Sequence, residues 1–511
     1  MRIETSFTRM RSTPTRGVFF SSPPGVARPA VVTPRGAFSS PRFHAKYRAA
    51  GSFTSPTALY GDGRKNEEAI LRFFVRRLET RGWDSQRVRE SIVGASGDNI
   101  TDVWLAMSRI YGLGVKETAL MESPWLEHAI ASGSWEDWMG VRMESVGSVD
   151  ERELSGGTLR RQHAPRVWLK MENTQPTGSF KVRGACNAIL ETRNALGAAA
   201  RFAVSSTGNH ALACVHALGA MRQLEGVRAG QGDEDGDDND DNDDSDDSGD
   251  SGDNDSVLDV YLPSSVSKRK LARIERLVEQ TGCNANVIVL DVEDCVEAEV
   301  RARGDAAAKG RHYVSPYNDE GVIAGHETLA IELMMELSPE QLDCVFVPVG
   351  GGGLISGIAR VLKHLAPHVR VIGCQAAACP VMSRSVDEGS IVECTDWNET
   401  LAEGLAGGIE SDSCTFETCK ALVDEWVTVS EKDIAEALVG MHGNHGQLVE
   451  GAAAVTLAAI MKAGVSIRDK GVVGIVCGGN LDTKDLDRAY DIVRKRGSRD
   501  DESDASRANA F

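Results

Sequence analysis

The sequence predicts an α/β fold with open, twisted, mainly parallel sheets, and three observations support this prediction. After about residue 165, short apolar runs alternate with longer helical runs. The apolar runs are bounded by glycine and small polar residues, as is typical of strands buried in a sheet. Several runs are followed directly by glycine-rich or hydroxyl-rich segments. Ligands of parallel sheets bind beyond the carboxyl ends of the strands, so these following segments are the candidates for function.

The apolar patterns place the individual elements along the chain. Strands are expected at residues 167–169, 202–205, 257–262, 287–290, 345–349, 369–373 and 472–476. Apolar residues at helical spacing predict helices over residues 209–220, 328–337 and 354–365. The same spacing predicts a helical N-terminal extension over residues 60–98, with Gly82 expected to end its first helix.

Both ends of the chain differ in composition from this alternating region. Residues 1–50 contain eight Arg and one Lys but a single acidic residue, Glu4, and they are rich in Ser, Thr and Pro. This composition predicts an organelle transit peptide over residues 1–55, and therefore a plastid or mitochondrial protein. The alternative is a disordered basic tail on a cytoplasmic protein. A disordered tail is also expected over residues 496–511.

An acidic segment at residues 226–256 interrupts the alternation of strands and helices. Residues 233–255 hold thirteen Asp and one Glu, with no Lys or Arg, and their removal would reduce the net charge from −19 to −5. A segment of one charge sign without aromatic residues cannot bury enough surface to fold, so we predict a disordered insertion. The nearly neutral remainder argues against nucleic-acid binding, and the absence of long apolar runs argues against a membrane span.

The eleven cysteines predict reduced thiols and no metal site. They are scattered along the chain without a Cys-x-x-Cys pair. Cysteines 374 and 379, and cysteines 414 and 419, are each separated by four residues. No further ligand residues cluster beside either pair, so burial is the better interpretation.

The first candidate site segment contains Ser179, Phe180 and Lys181, shortly after the strand at residues 167–169. Lys181 opens a predicted helix, near amide groups and partly buried, where the pKa of an ammonium group is lowered and the amine becomes a better nucleophile. Taken alone, a lysine in this position is more often a solvated surface residue.

The second segment follows the strand at residues 202–205 and opens the next helix. It consists of Ser206, Thr207, Gly208, Asn209 and His210. Small hydroxyl residues and a glycine expose backbone N–H groups at a helix N-terminus, which suits a carboxylate or phosphate. The alternative is an ordinary helix cap.

Two glycine-containing segments complete the set. Four consecutive glycines, Gly350, Gly351, Gly352 and Gly353, lie between a strand and a helix, where the backbone can approach an anion closely. They match neither the Walker pattern nor G-x-G-x-x-G, so nucleotide binding loses support. Cys477, followed by Gly-Gly-Asn480, ends the last predicted strand, and a neutral thiol there suits a ring nitrogen that stays unprotonated.

These segments, in this order, resemble the fold-type II pyridoxal-phosphate enzymes, in particular the serine/threonine dehydratase and serine racemase group. The resemblance covers about residues 99–495. It includes Arg109-Ile110, Ser315-Pro-Tyr-Asn-Asp, Ile323-Ala-Gly, residues 404–410 and Glu450-Gly451. It implies a tryptophan synthase β-like fold with the cofactor between two domains. The large domain would comprise residues 99–197 and 315–495, and the small domain residues 198–314.

The resemblance also implies residue roles. Lys181 would form the Schiff base with pyridoxal 5'-phosphate, Phe180 would pack beside its ring, and Asn209 would bond its ring hydroxyl. The four glycines, residues 350–353, would hold its phosphate, and Cys477 would face its pyridine nitrogen. The substrate carboxylate would lie at Ser206, Thr207, Gly208, Asn209 and His210.

The expected reaction is the dehydration and deamination of L-serine or L-threonine to a 2-oxo acid and ammonium. The first alternative is a serine or aspartate racemase, in which Thr207 would supply the second acid–base group; another is a 3-hydroxyaspartate dehydratase. A non-enzymatic alternative is a cofactor-binding scaffold that uses the acidic insertion as an interaction element. Small amino-acid substrates and a homodimer or other homo-oligomer are expected.

Metal binding is not expected. Related racemases and some dehydratases hold a divalent ion through acidic residues after the strand at residues 369–373. Here that segment runs from Cys374 to Val381 without a carboxylate. We therefore predict no metal ligand, although the chain otherwise resembles the dehydratases.

Overall fold

The structure is a computed structural model that describes residues 63–93, 101–132, 165–206, 208–229, 256–293, 295–393, 399–467 and 469–508. The predicted transit peptide at residues 1–55, most of the acidic insertion and Thr207 lie outside the described residues. Within those ranges no helix is long and apolar enough to cross a bilayer.

The larger sheet has six strands in the order β1-β2-β10-β7-β8-β9. All neighbouring pairs are parallel except β1 and β2, which are antiparallel. Strands β7 and β10 are buried along their whole length, as expected for a parallel sheet covered by helices on both faces. The strands are β1 Leu120–Glu122, β2 Arg166–Lys170, β7 Cys344–Pro348, β8 Arg370–Ala376, β9 Glu425–Val429 and β10 Gly471–Ile475.

The smaller sheet has four parallel strands in the order β5-β4-β3-β6. Its strands are β3 Phe202–Ser205, β4 Leu258–Leu262, β5 Ala285–Val289 and β6 His312–Tyr313. Strand β4 is buried along its whole length and lies inside the sheet, while β5 at the edge is only partly buried. Both sheets therefore have the parallel arrangement that the alternation of strands and helices predicts.

Helices connect and cover the strands. In chain order they are α1 Gly63–Thr80, α2 Ser85–Val93, α3 Thr101–Gly112, α4 Pro124–Ser132, α5 Lys181–Leu196, α6 Asn209–Ala229, α7 Lys268–Thr281, α8 Cys295–Ala308, α9 Glu320–Glu336, α10 Gly353–Leu365, α11 Val381–Glu388, α12 Cys414–Leu422, α13 Glu431–His445, α14 Gly451–Ala463 and α15 Thr483–Ala508. Helix α5 begins 11 residues after the end of β2, α6 begins four residues after β3, and α10 begins five residues after β7. Each of these helices begins within a candidate site segment.

The N-terminal extension packs on the larger core. Helix α1 ends at Thr80, and Gly82 follows with a φ of +89°, the left-handed conformation that favours glycine. Trp83 is buried, and its indole Nε1 donates to the carbonyl oxygens of Met334 at 2.7 Å and Leu337 at 3.0 Å. The extension is thereby attached to the end of α9.

The structure corrects the predicted boundaries of two disordered segments. Helix α6 continues to Ala229, so residues 226–229 of the predicted acidic insertion are helical. Ser256, at its other end, is buried and donates to Asp259 at 2.8 Å. The physical reason is that the acidic run itself begins only at Asp233. Helix α15 likewise continues to Ala508 through much of the predicted tail, a stretch without proline to stop it.

The hydrophobic cores do not follow the strands alone. The strands of the smaller sheet fall within residues 198–314, but the core beside them also includes Ile110, Val182, Ile189 and Val322. Helices α3, α5 and α9 supply these side chains, and other residues of α3 and α9 enter the larger core. The two parts of the fold therefore share helices, and a division into domains at residues 198 and 314 stays a prediction.

Candidate active site

Lys181 is the first residue of α5 and is half-buried. Its Nζ donates to the backbone oxygen of Pro316 at 2.7 Å and lies 5.1 Å from the centroid of the Phe180 ring. Burial lowers the pKa of Lys181 to about 8, although the nearby Cys477 and Glu450 favour the charged form. A substantial neutral fraction makes this amine a better nucleophile and proton acceptor than an exposed lysine.

A buried ion network holds the start of α5 in place. Arg183 donates to Glu172 through two hydrogen bonds of 2.7 Å and to Glu332 at 2.6 and 2.9 Å. Lys170 lies 2.8 Å from Glu332 as well. Burial alone would raise the pKa of Glu332, but the two cations outweigh it and hold the pKa below its ordinary value. The network connects α5 to β2 and α9. Its central residue, Arg183, lies two positions after Lys181 in the chain.

Cys477 is brought beside Lys181 by backbone pairing. The N–H of Phe180 donates to the carbonyl oxygen of Cys477 at 3.0 Å, and the N–H of Gly479 donates to that of Gly178 at 2.9 Å. Gly178 has a φ of +75°, and the side chain of Asn480 fills the space that a Cβ would need. Burial and the neighbouring Glu450 raise the pKa of the Cys477 thiol, which therefore stays neutral.

Asn209 meets Glu450 and Asn480 at the start of α6. Its amide Nδ2 lies 3.0 and 3.1 Å from the two carboxylate oxygens of Glu450. The Nδ2 of Asn480 donates to the Oδ1 of Asn209 and, at 2.9 Å, to the backbone oxygen of Thr177. Burial raises the pKa of Glu450, while the hydrogen bond from Asn209 opposes this shift. Asn209, which the family resemblance assigns to the cofactor ring hydroxyl, is thus held by Glu450 on one side and by Asn480 on the other.

The loop between β3 and α6 presents open space and an unpaired ring nitrogen. The N–H of Gly208 donates to Ser206 Oγ at 3.2 Å, and apart from its chain neighbours no atom of the described residues lies within 4 Å of the place where a Cβ on Gly208 would stand. The Nε2 of His210 pairs with the backbone oxygen of Val314 at 3.0 Å, but its buried Nδ1 has no hydrogen-bond partner among the described residues. Burial, with the nearby Lys181, lowers the pKa of His210 to about 3.

The glycine segment lies between β7 and α10, under the side chain of Tyr317. A Cβ on Gly351 would overlap the Tyr317 ring, and a Cβ on Gly353 would lie 2.9 Å from the Tyr317 Cα. Gly352 caps α10 with a φ of +87°, and Thr415 Oγ1 donates to the backbone oxygen of Gly351 at 2.6 Å. Only glycine fits these positions, and the N-terminus of α10 supplies the N–H groups that an anion requires.

His326 is a site neighbour to which the sequence analysis assigned no role. Its ring packs on Phe180 with centroids 4.9 Å apart, and burial together with Lys181 lowers its pKa well below the ordinary value. Neither ring nitrogen completes a hydrogen bond within the described parts of the chain, although the backbone of Gly353 opposes the pKa shift. The imidazole is therefore a neutral neighbour of Phe180.

The donor set fits pyridoxal phosphate. An amine with a lowered pKa, a helix N-terminus built from consecutive glycines, and a neutral thiol lie in one region. Ser179 Oγ and His210 Nδ1 are buried polar atoms that lack partners among the described residues, as at a site made for a polar ligand. In the same parts of the chain no group of three His, Cys, Asp or Glu could hold a metal.

Comparison with known families agrees with this chemistry. The model of the family described as pyridoxal-phosphate dependent enzyme matches residues 154–226 and 258–478. This match covers more than half of the chain, so the chain belongs to that family, and pyridoxal phosphate is its cofactor.

Individual relatives place the chain more closely. An L-threonine ammonia-lyase of Thermotoga maritima is 34% identical over 339 residues, which cover 66% of this chain and 70% of the relative. The processed threonine deaminase isoform 2 of Solanum lycopersicum superposes with a TM-score of 0.57 at 22% identity, covering 77% of this chain and 93% of that one. A serine racemase of Dictyostelium discoideum gives 0.53 at 25% identity, covering 75% and 98%. The predicted fold-type II fold and dehydratase-group resemblance are confirmed.

The structure gathers the predicted site residues that it describes into one region. Lys181, Phe180 and Cys477 lie together through backbone pairing, and Asn209 reaches Cys477 through Glu450, whose carboxylate lies 3.9 Å from the thiol sulfur. The four glycines are connected to this region by Tyr317, which packs against Gly351 and Gly353. Tyr317 directly follows Pro316, whose backbone oxygen accepts the hydrogen bond from Lys181.

The sequence analysis gave no individual role to Glu450, Asn480 or Tyr317. Each was visible only as part of a segment that resembles the family. Their polarity or bulk beside glycine was the available signal, but their partners lie far away in the chain.

Proposed function

We propose that this enzyme removes water and ammonia from L-threonine or L-serine to give a 2-oxo acid and ammonium. The observation that carries the proposal is the buried Lys181 amine, with a pKa lowered to about 8, beside the neutral Cys477 thiol. The relatives and neighbours that bear the names threonine ammonia-lyase and threonine deaminase support the choice of reaction.

The residues present can hold the cofactor in one orientation. Gly350, Gly351, Gly352 and Gly353 would bind its phosphate at the N-terminus of α10. Asn209 would donate to its ring hydroxyl, and Phe180 would lie against its ring. Cys477 would face the pyridine nitrogen, and because the thiol stays neutral it would leave that nitrogen unprotonated. Lys181 would be the residue to which the cofactor is attached.

The protein side chains then bind the substrate and move its protons. When bound, pyridoxal phosphate supplies a conjugated system that withdraws electrons from the substrate Cα. Lys181 Nζ would remove the proton from the substrate Cα and would donate it to the departing β-hydroxyl, which would leave as water. A second water molecule would then replace the substrate nitrogen at Cα, which gives the 2-oxo acid and ammonium. Threonine would give 2-oxobutanoate, and serine would give pyruvate.

The loop that begins α6 is the proposed carboxylate site. Backbone N–H groups of Ser206, Thr207, Gly208, Asn209 and His210 would face the substrate carboxylate, since the space beside Gly208 is open and α6 begins there. The neutral His210 ring would add hydrogen-bonding capacity without adding charge. Thr207 would also supply a hydroxyl near the reacting carbon.

The experiment that tests the function compares Lys181→Ala with Lys462→Ala. Lys462 is an exposed lysine that contacts the backbone of Thr428, so its replacement is a matched control. Each purified protein is assayed for 2-oxo acid and ammonium with serine, threonine and 3-hydroxyaspartate, and for the visible absorbance of bound cofactor. Lys181→Ala should abolish product and visible absorbance, and Lys462→Ala should leave both unchanged. Unchanged activity of Lys181→Ala would overturn the proposal.

Racemisation is the second candidate function, favoured by the solved racemase to which the chain is similar. It requires an acid–base group on the face of the cofactor opposite Lys181, and Thr207 is the proposed group. Chiral analysis of serine and aspartate after incubation, with wild type and Thr207→Val, tests this candidate. Formation of the D-isomer that depends on Thr207 would support it. A scaffold role for the acidic insertion would instead leave no product in either assay.

We further propose that residues 1–55 direct the protein to a plastid or mitochondrion and that the enzyme is a homodimer or other homo-oligomer. The basic, acid-poor composition of residues 1–50 supports the first proposal. Fluorescence of a fusion to residues 1–55 tests the location. Sedimentation of the full chain tests the oligomeric state, and a cytoplasmic fusion or a monomer would contradict the corresponding proposal.

A further inference from the structure

A chain of hydrogen bonds runs from the surface helix α7 to Asn209. Arg273 of α7 donates from its guanidinium to the Oδ1 of Asn480 at 2.5 Å. The Nδ2 of Asn480 donates to the Oδ1 of Asn209, and the Nδ2 of Asn209 points to Glu450. Two consecutive side-chain amides thus lie between an arginine at one end and a carboxylate at the other.

The two ends of this chain impose the same direction on both amides. A guanidinium can only donate hydrogen bonds, so the Asn480 oxygen must face Arg273 and the Asn480 nitrogen must face inward. The inward nitrogen then fixes the oxygen of Asn209, which leaves the Asn209 nitrogen toward Glu450. The backbone oxygen of Thr177 accepts the other Asn480 proton at 2.9 Å and supports the same direction.

The two carboxylate oxygens of Glu450 can share a single N–H of the Asn209 amide. Because Asn209 Nδ2 lies 3.0 and 3.1 Å from the two carboxylate oxygens, one N–H between them accounts for both contacts. The remaining N–H is available to a ligand oxygen. Such a donor is suited to an aromatic oxygen that carries negative charge, such as the ring oxygen of the cofactor.

We propose that Arg273 is a positioning residue for the cofactor site: by donating to Asn480 it fixes the direction of the Asn480 and Asn209 amides and keeps an N–H of Asn209 available to the cofactor ring oxygen. This inference rests on the proposed role of Asn209 in the cofactor site. It assigns to a surface arginine an effect on the electronic state of a buried ligand.

Neighbouring basic residues of α7 provide the contrast. Arg269, one turn earlier, pairs with Asp482 at 2.8 Å, and Lys270 pairs with Glu403 at 2.7 Å. These pairs also connect α7 to the rest of the molecule. Neither involves an amide that contacts Asn209, so a substitution at Arg269 changes charge at the same helix without changing the amide chain.

The test uses the full chain with Arg273→Lys, Arg273→Ala and Arg273→Glu, and with Arg269→Glu as the control for charge. Pyridoxal phosphate is titrated into each cofactor-free protein to obtain its Kd, and the absorption spectrum of the bound cofactor is recorded. Lysine is also only a donor, so Arg273→Lys should stay within about twofold of wild type. A carboxylate can only accept, so Arg273→Glu should raise Kd about tenfold, corresponding to ~1.4 kcal/mol, and shift the spectrum. Arg273→Ala should fall between them.

Equal changes in Kd and spectrum for Arg273→Glu and Arg269→Glu would overturn the proposal, because charge alone would then explain both. Thermal melting of the cofactor-free protein shows whether Arg273→Glu folds. If it does not fold, the comparison of Arg273→Lys with Arg273→Ala tests the proposal, and identical cofactor spectra for these two variants would also overturn the proposal. Failure of wild type to bind the cofactor through Lys181 would instead contradict the proposed function, so the two failures are distinguishable.

Discussion

Lys181 and Pro316 are joined by a hydrogen bond of 2.7 Å from the lysine Nζ to the backbone oxygen of the proline. The residue after Pro316 is Tyr317, whose ring packs on Gly351 within the glycine segment at residues 350–353. Two consecutive residues therefore connect the amine to the proposed phosphate site. The carbonyl oxygen also gives the amine a hydrogen-bond partner that carries no charge.

The lowered pKa of Lys181 predicts a pH-dependent stability. The unfolded chain keeps the ordinary pKa of 10.5, while the folded protein has about 8. Between these values the unfolded state binds more protons, so the free energy of unfolding should rise with pH, by at most ~1.4 kcal/mol per pH unit. Below pH 8 both states hold the proton, and the cost of burying the charge is fully present.

Urea unfolding of the cofactor-free protein measures this effect. Wild type is compared with Lys181→Met from pH 8 to pH 10.5, so that contributions common to both proteins cancel. The variant should be the more stable protein at pH 8, and its advantage should shrink as pH rises. A difference that does not change with pH would contradict the lowered pKa.

The neutral thiol of Cys477 predicts that two substitutions at this position differ in their effect on elimination activity. Cys477→Ser keeps a neutral group and should retain elimination activity. Cys477→Asp introduces a carboxylate, which would stabilise a proton on the ring nitrogen and prolong the lifetime of the carbanionic state. We expect the aspartate variant to lose at least about tenfold in 2-oxo acid formation, or ~1.4 kcal/mol in barrier, and to gain exchange of the Cα proton. Product and deuterium-exchange assays on both variants measure this, and equal elimination rates would contradict the assignment.

The segments that follow strands could be predicted because their chemistry is local in the sequence. Lys181, the glycines at residues 350–353 and Cys477 each follow a short apolar run, and the order of the runs limits the fold. Strands β6 and β9 were not predicted. Only two residues form β6, and β9 lies partly exposed at a sheet edge. A two-residue strand, or a partly buried strand such as β9 in which Glu425 and Thr428 interrupt the apolar residues, carries too weak an apolar pattern for its position to be recognised.

The contacts that orient the site could not be predicted, because they join distant parts of the chain. Asn209 and Glu450 are 241 positions apart, and Arg273 and Asn480 are 207 apart. An isolated Glu at a helix start or an Arg on a helix surface has an ordinary structural interpretation. Only the packing of α7 beside the segment after β10 gives Arg273 its relation to the site.

The close packing of Tyr317 on Gly351 predicts that Gly351→Ala weakens cofactor binding. A Cβ at this position would overlap the tyrosine ring, so either the ring or the glycine segment must move. Gly443→Ala is the matched control, because nothing lies within 4 Å of its added Cβ. We expect Gly351→Ala to raise the Kd of pyridoxal phosphate at least about tenfold, corresponding to ~1.4 kcal/mol, with Gly443→Ala unchanged.

Titration of inorganic phosphate into the same cofactor-free proteins separates loss of the phosphate site from other effects. Weaker binding of both phosphate and pyridoxal phosphate by Gly351→Ala is the expected pattern. Adding Tyr317→Ala to Gly351→Ala removes the overlapping ring and should recover part of the phosphate affinity. Normal affinity of Gly351→Ala for both ligands would show that the glycine segment does not bind the phosphate.

The ion network beside Lys181 predicts a large stability loss for Arg183→Met. This change leaves Glu172 and Glu332 buried without the guanidinium that bonds both carboxylates, and breaking a buried pair in this way costs roughly 3–5 kcal/mol. Arg193→Met, in the same helix, breaks an exposed pair with Glu225 and should cost less than ~1 kcal/mol. Urea unfolding at neutral pH measures both values.

Acid pH provides a second measurement of the same network. The cations hold the pKa of Glu332 below its ordinary value of 4.5, so the stability that this carboxylate contributes is present above pH 4.5 and is lost as pH falls through the lower folded value. Arg183→Met removes part of that contribution, so its deficit against wild type should narrow as the solution is acidified below pH 4.5. A deficit that is independent of pH, or an equal loss in Arg193→Met, would show that the packing of α5 is responsible for its stability and the ion pairs are not.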